Sequence, residues 1–236
     1  MSTKDIQNSY GENDVNQKER LDLLEQLYKK FISVIDPGAE DQHLLQCIRV
    51  HQSTHNISDY ELFNMLHSIV NNTPKYTCML ALLYQYGVGT TRDNFQMYGY
   101  YKVAAAHGDL FGMNQLGWCY QQGIYVDQDP EIAFMWYTKS AQFGNTTGQC
   151  NLAYCYLDGI GTKICWSKGF YWFLKSAQGG IAVSQYNLAR FYRYSMGFNR
   201  DLHEAIKWYR RSMMQGDVSW TPELDALLQN VVDMED

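Results

Sequence analysis

Apolar positions recur along this chain at a fixed spacing. Leu80-Ala81-Leu82-Leu83-Tyr84 is followed thirty-six residues later by Leu116-Gly117-Trp118-Cys119-Tyr120, then by Leu152-Ala153-Tyr154-Cys155-Tyr156 and Leu188-Ala189-Arg190-Phe191-Tyr192. Gly87, Gly123 and Gly159 close the first three blocks, and Ser195 stands in that place in the fourth. A second apolar block keeps the same register, with Tyr100-Tyr101, Trp136-Tyr137, Trp172-Phe173 and Trp208-Tyr209. It continues through Ala105, Ala141, Ala177 and Met213 to Gly108, Gly144, Gly180 and Gly216. The i, i+4 pairing of Leu116 with Tyr120, and of Leu152 with Tyr156, puts both side chains on one helix face. Each unit therefore predicts two helices of about a dozen residues, each ended by glycine, which tolerates the left-handed position just past a helix end. A repeat of this length predicts an all-α solenoid of about four helical hairpins.

Helices this short are marginal alone in water, so the aromatic positions must be buried against neighbouring hairpins. Trp136, Trp172 and Trp208 share one repeat position and are expected in the core rather than in an aromatic box. Gly117, Ala153 and Ala189 sit beside the leucines, where a small side chain admits close helix approach. The second helices open near Asp93, Asp129 and Asp201, expected N-caps, with Pro130 suited to the first helical position. The third unit departs here: Cys165 replaces the aspartate, beside Ile164 and Trp166.

The flanks do not keep the period. Residues 1–18 are polar and expected to be disordered. Leu21, Leu23, Leu24, Leu27, Tyr28, Phe31 and Ile32 form a helical stripe that Asp36-Pro37-Gly38 should close. A second short helix is expected around Leu44, Leu45, Ile48 and Val50, with Ser53, Thr54 and Asn56 breaking it. Ser58-Asp59-Tyr60-Glu61 has the form of a capping box opening a third helix through Leu62, Met65, Leu66, Ile69 and Val70. The expected organisation is a disordered stretch 1–18, a helical N-terminal cap 19–73, repeats 74–218 and a C-terminal capping helix 219–236.

The pattern Leu-Gly/Ala-x-x-Tyr-x-x-Gly followed by Ala-x-x-Trp-Tyr-x-x-Ala-Ala/Ser-x-x-Gly resembles the Sel1-like repeat, a relative of the tetratricopeptide array, and is similar to fungal Sel1-like arrays. The resemblance spans about Tyr76 to Gly216. It implies an α/α superhelix that binds other proteins and lacks catalysis, and the fungal likeness implies a place in kinase-linked signalling. By analogy with tetratricopeptide arrays, the concave face would be lined by first-helix positions that vary between copies. These are Asn114, Trp118 and Gln121, then Cys150, Tyr154 and Leu157, then Tyr186, Arg190 and Arg193. Two readings stand: a groove for a protein or peptide, with Trp, Tyr and Arg as anchors, or a variable solvated face. Ile164 and Trp166 are either a second contact patch or a loop folded back onto the array.

Charge and composition narrow the field. The net charge of −6 without a long basic run argues against nucleic-acid binding and describes an anionic surface that suits a basic partner only weakly. No apolar run reaches the ~20 residues of a membrane span. The polar start Met1-Ser2-Thr3-Lys4-Asp5 has no signal-peptide core, so the six cysteines are read as reduced thiols in a cytoplasmic protein. Cys119 and Cys155 share a position held by Leu83 and Phe191 in the other copies, which points to packing. His51 and His55 are an i, i+4 pair near His43 that could hold zinc, but no Cys-x-x-Cys accompanies them, and no metal or cofactor is expected. The monomer is the expected state, with end-to-end self-association as the alternative. The alternative function is an enzyme of the cysteine-rich Sel1-like β-lactamase kind. Against it, Ser-x-x-Lys is absent and the paired cysteines of that group do not recur here.

Overall fold

The computed structural model of the chain describes residues 3–35, 41–196 and 200–214. The expected C-terminal capping helix, the Asp36-Pro37-Gly38 turn and Gly216 lie outside them. Every described element is helical, and the chain divides into two compact units between Val103 and Ala104.

The first unit holds α1 (Thr3–Ile35), α2 (Asp41–His55), α3 (Asp59–Ile69), a short 3-10 turn (Pro74–Tyr76), α4 (Thr77–Tyr86) and most of α5 (Asn94–Ala106). Leu24, Leu27 and Phe31 of α1, Leu44 and Ile48 of α2, and Leu62 and Leu66 of α3 form its buried stripe. Two local expectations differ from what is found. Helix α1 begins at Thr3, within the polar stretch expected to be disordered. No proline interrupts that stretch, and its Glu, Gln and Lys are good helix formers, so the helix extends beyond its apolar stripe. Nor do Ser53 and Thr54 break α2. Their hydroxyls donate to the carbonyls of Arg49 (2.9 Å) and Val50 (2.7 Å), four residues back, and the helix ends at Asn56 with φ 52°. The capping box is present: the Glu61 amide donates to the Ser58 hydroxyl, and the Ser58 amide donates to the Glu61 carboxylate at 2.9 Å.

The second unit stacks three hairpins: α6 (Leu110–Gln122) with α7 (Pro130–Gln142), α8 (Thr146–Asp158) with α9 (Trp166–Gln178), and α10 (Ala182–Tyr194) with α11 (Leu202–Met213). Helix α8 also packs on α7, and α10 on α9, so each hairpin buries its face against the next. Asp129 and Asp201 cap α7 and α11 by accepting the Ile132 and Glu204 amides, whereas Cys165 gives α9 no side-chain cap. Ser195 takes the left-handed cap position at φ 55°, a conformation that glycine holds without a Cβ clash.

Two of the aromatic pairs, in the second and third repeats, enclose the member after the tryptophan. Tyr137 and Phe173 are fully enclosed, while Trp136 and Trp172 are half-exposed; among the described tryptophans only Trp208 is buried, as expected. Trp136 instead carries the Lys139 ammonium over its ring at 4.6 Å. The second aromatic turns inward because the small first-helix residue makes room for it. A Cβ on Gly117 would lie 2.7 Å from the Tyr137 ring.

Polar straps hold each hairpin. The Ser140 hydroxyl donates to the Leu110 carbonyl (2.8 Å), Ser176 to Thr146 (2.9 Å) and Ser212 to Ala182 (2.9 Å), always across thirty residues. The Gln185 amide reaches the Ala177 carbonyl (3.1 Å) and so ties α10 to the preceding repeat.

Candidate partner-binding face

The nine positions expected on the first-helix face do not form one surface. On α6, Asn114 is buried and accepts a hydrogen bond from Asn151 of α8 at 2.9 Å. Gln121 accepts the Tyr137 hydroxyl at 2.7 Å. Trp118 is the half-exposed residue between them. On α8, Cys150 is buried with Ala153, Phe173 and Phe191, and Leu157 packs against the same cluster. Tyr154 stands edge-on to Phe173 at 5.1 Å, and its hydroxyl accepts from Asn187 at 2.8 Å. On α10, Tyr186 packs edge-on against Tyr209, Arg190 is exposed, and Arg193 lies with its guanidinium 4.9 Å over the Tyr194 ring. Asn114 and Cys150 therefore belong to the interior. Trp118, Tyr154 and Arg190, which share one repeat position, reach the surface of three successive first helices.

Asn151 and Asn187 were not singled out from the sequence, yet they stitch α6 to α8 and α8 to α10 along this face. The signal was present: Gln115, Asn151 and Asn187 place an amide before the repeat leucine in the second, third and fourth copies, where the first has Met79. An open cleft of about 760 Å³ also lies along the loops of the second and third repeats, lined in part by Gln121, Gln128, Glu131 and Lys163.

Ile164 is exposed. Trp166, at the start of α9, is 44% exposed and still meets Phe191 edge-on at 6.2 Å, so its indole both rests on the array and faces solvent. His51 is buried with Nδ1 unpartnered, its ring 4.5 Å from that of His55. Burial, then the charge of His55 and of Lys30, pushes its pKa down to about 4. Among the described residues no three His, Cys, Asp or Glu side chains converge as metal ligands. Burial pushes the thiols of Cys119 and Cys155 up to about 12 and that of Cys150 up to about 11, so all three stay protonated near neutral pH. Cys165 moves the other way, chiefly through its hydrogen bond with Ser167.

Stacked hairpins strapped at a constant interval define an all-helical repeat solenoid. The repeats match the family model Sel1 repeat at residues 74–109, 110–145, 146–181 and 182–217, and the chain belongs to the Sel1 repeat family. Proteins of this family are commonly interaction scaffolds. Among solved structures the chain is similar to the Sel1 repeat protein of Oxalobacter formigenes, with 22% identity, a TM-score of 0.68 and 85% of each chain covered. It is also similar to c5321, a protective antigen of uropathogenic Escherichia coli with an SLR fold, with 28% identity and a TM-score of 0.62. That match covers 68% of this chain and 35% of the other, so the chain spans about a third of that antigen's length. A third likeness, to the immunity protein Pa5087 of Pseudomonas aeruginosa, has 16% identity and a TM-score of 0.52, covering 86% and 74% of the two chains. None of the curated proteins matches the chain. No described helix is long and apolar enough to cross a membrane.

Proposed function

We propose that the chain is a noncatalytic adaptor that binds a partner protein or peptide along the first-helix face of its repeats. The observation that supports this most is the line of Trp118, Tyr154 and Arg190. One repeat position, filled by three different side chains, comes to the surface on α6, α8 and α10 while its flanking positions stay inside. Large aromatic and arginine side chains are the usual anchors of protein interfaces. Six free cysteines, four of them buried, fit a reducing compartment, and the adaptor acts in the cytoplasm as a monomer. The signalling pathway implied by the resemblance is a kinase-linked one.

A noncatalytic role also fits the thiols, since the three with strongly raised pKa are not nucleophiles at neutral pH. The test is affinity capture from native lysate with wild type and with the Trp118→Ala/Tyr154→Ala/Arg190→Ala variant. A partner held by wild type and lost by the folded variant is the expected result. The same partner held by both would move the site to another surface. For the enzyme alternative, a thiol probe is expected to label Cys165 ahead of Cys119, Cys150 and Cys155, with no turnover of a chromogenic β-lactam.

A further inference from the structure

The overall charge conceals a division. Residues 74–217 hold 13 of the 19 Lys and Arg but 9 of the 25 Asp and Glu, a net of +4 against −10 for the rest. Within the second unit the excess lies on the second helix of each hairpin. Helices α7, α9 and α11 carry Lys139, Lys168, Lys175, Lys207, Arg210 and Arg211 against two carboxylates, Glu131 and Glu204. One of the two is taken, since Glu204 pairs with Lys207 at 2.6 Å. The anionic surface read from net charge does not describe these helices.

Helix α7 packs on α6 and α8, α9 on α8 and α10, and α11 on α10. Each second helix also presents an exposed stripe, through Met135, Lys139 and Gln142 on α7 and through Tyr171, Lys175 and Gln178 on α9. One position of the stripe is a cation in all three helices: Lys139, Lys175 and Arg211. The first copy has Val103 there. Each of the three cations lies on an aromatic ring of its own helix. Lys139 Nζ is 4.6 Å from the Trp136 ring centroid, Lys175 Nζ 5.4 Å from that of Tyr171, and Arg211 Cζ 4.7 Å from that of Trp208. All three stay exposed, and among the described residues no carboxylate forms an ion pair with them. A ring attracts a cation without neutralising it. It also restrains the side chain, so less entropy is lost when an anion arrives. A cation in the last turn of a helix complements the helix dipole as well. That role requires no ring beneath the cation and no exposed apolar neighbour, yet Met135 is 42% and Tyr171 49% exposed.

We propose that the outer side of α7, α9 and α11 is a second docking surface. It takes an acidic segment of a partner protein, with carboxylates on Lys139, Lys175 and Arg211 and apolar side chains on Met135 and Tyr171. This surface is separate from the line of Trp118, Tyr154 and Arg190 on the first helices, so either can fail without the other. A nucleic acid fits less well, because a phosphate backbone needs a continuous basic track and α7 offers Lys139 with Glu131 on the same helix. A lipid surface also fits less well, because lying in it needs a continuous apolar face. In the exposed stripes Met135 stands between Glu131 and Lys139, and Tyr171 between Ser167 and Lys175.

The experiment is selection of a random displayed-peptide library on the full chain, on Lys139→Gln/Lys175→Gln/Arg211→Gln, on Lys139→Glu/Lys175→Glu/Arg211→Glu, and on Trp118→Ala/Tyr154→Ala/Arg190→Ala. Wild type is expected to enrich sequences that combine Asp or Glu with apolar residues. A labelled peptide of the selected consensus should bind roughly tenfold or more weakly to the glutamine variant at unchanged helical signal, and should weaken as salt rises. Its binding to the first-helix variant should be unchanged, and the glutamate variant should shift the selection toward Lys and Arg. Acidic binders that survive in the glutamine variant and are lost in the first-helix variant would overturn the proposal and leave the adaptor reading standing. Selection without acidic enrichment, or no binders to any form, would overturn it as well. An oligothymidylate probe, or vesicles of phosphatidylserine and phosphatidylcholine, bound more tightly than the consensus and lost in the glutamine variant would give the surface to nucleic acid or to lipid and overturn the proposal.

Discussion

The second and third repeats share one backbone and fill it with opposite chemistry. In the second, the enclosed Tyr137 donates to Gln121, sixteen residues earlier, at 2.7 Å. In the third, the same two positions hold Phe173 and Leu157, and the contact is apolar. The first repeat follows the polar solution, with Tyr101 donating to Gln85 at 2.6 Å. Hydroxyl and acceptor change together because either one alone leaves a buried polar group without its partner, and that costs more than the bond contributes. Around this pair the third repeat also lacks the aspartate cap of its second helix and carries Gly161 where the second carries Tyr125 at φ 65°.

The largest expected effect tests whether the pair is core in both repeats. Phe173→Ala should lose about 3–5 kcal/mol in denaturant melts, and a loss under ~1 kcal/mol would contradict its enclosure. Next comes the loop. A Cβ on Gly161 would lie 2.0 Å from the Pro130 carbonyl oxygen, at φ +64°, so Gly161→Ala should cost about 2–3 kcal/mol. Tyr125→Gly should instead gain up to about 1 kcal/mol by relieving the left-handed tyrosine. The comparison itself is tested by converting one repeat into the other. Phe173→Tyr alone should destabilise by about 2 kcal/mol, and adding Leu157→Gln should recover about 1 kcal/mol of it. Strict additivity in that double-mutant cycle would break the matched-pair account. The smallest effect concerns the missing cap: Cys165→Asp should raise stability by about 0.5–1 kcal/mol, seen as a small rise in the denaturation midpoint.

Much of the fold was legible from local chemistry. The glycine punctuation, the caps at Asp129 and Asp201 and the Ser58–Glu61 box each act within one helical turn, and each is found in place. Ser53 and Thr54 misled because a hydroxyl that can compete with the helix can also bond back into it. The site was harder to read. Periodicity assigns a residue to a face of its helix but does not say whether the neighbouring hairpin covers that face. Asn114 and Cys150 were therefore placed on the open face when α8 and α9 enclose them, and Gln121 was placed there too when Tyr137 already holds it. Trp136 and Trp172 misled for the same reason. The inward residue is set by the space beside Gly117 or Ala153 on the partner helix, a relation across about twenty residues that size and hydropathy do not reveal.

The Tyr137–Gln121 bond has a consequence for how such a chain changes by recombination. Both of its members lie inside one thirty-six-residue unit, as do Phe173 and Leu157. Duplicating or deleting a whole unit passes on a matched pair, whichever chemistry it uses. A crossover inside the hairpin loop joins Gln121 to Phe173, or Leu157 to Tyr137, and each chimaera inherits one half of two incompatible solutions. Breakpoints are thus tolerated at the borders between hairpins, and the repeat is the unit of inheritance as well as of structure.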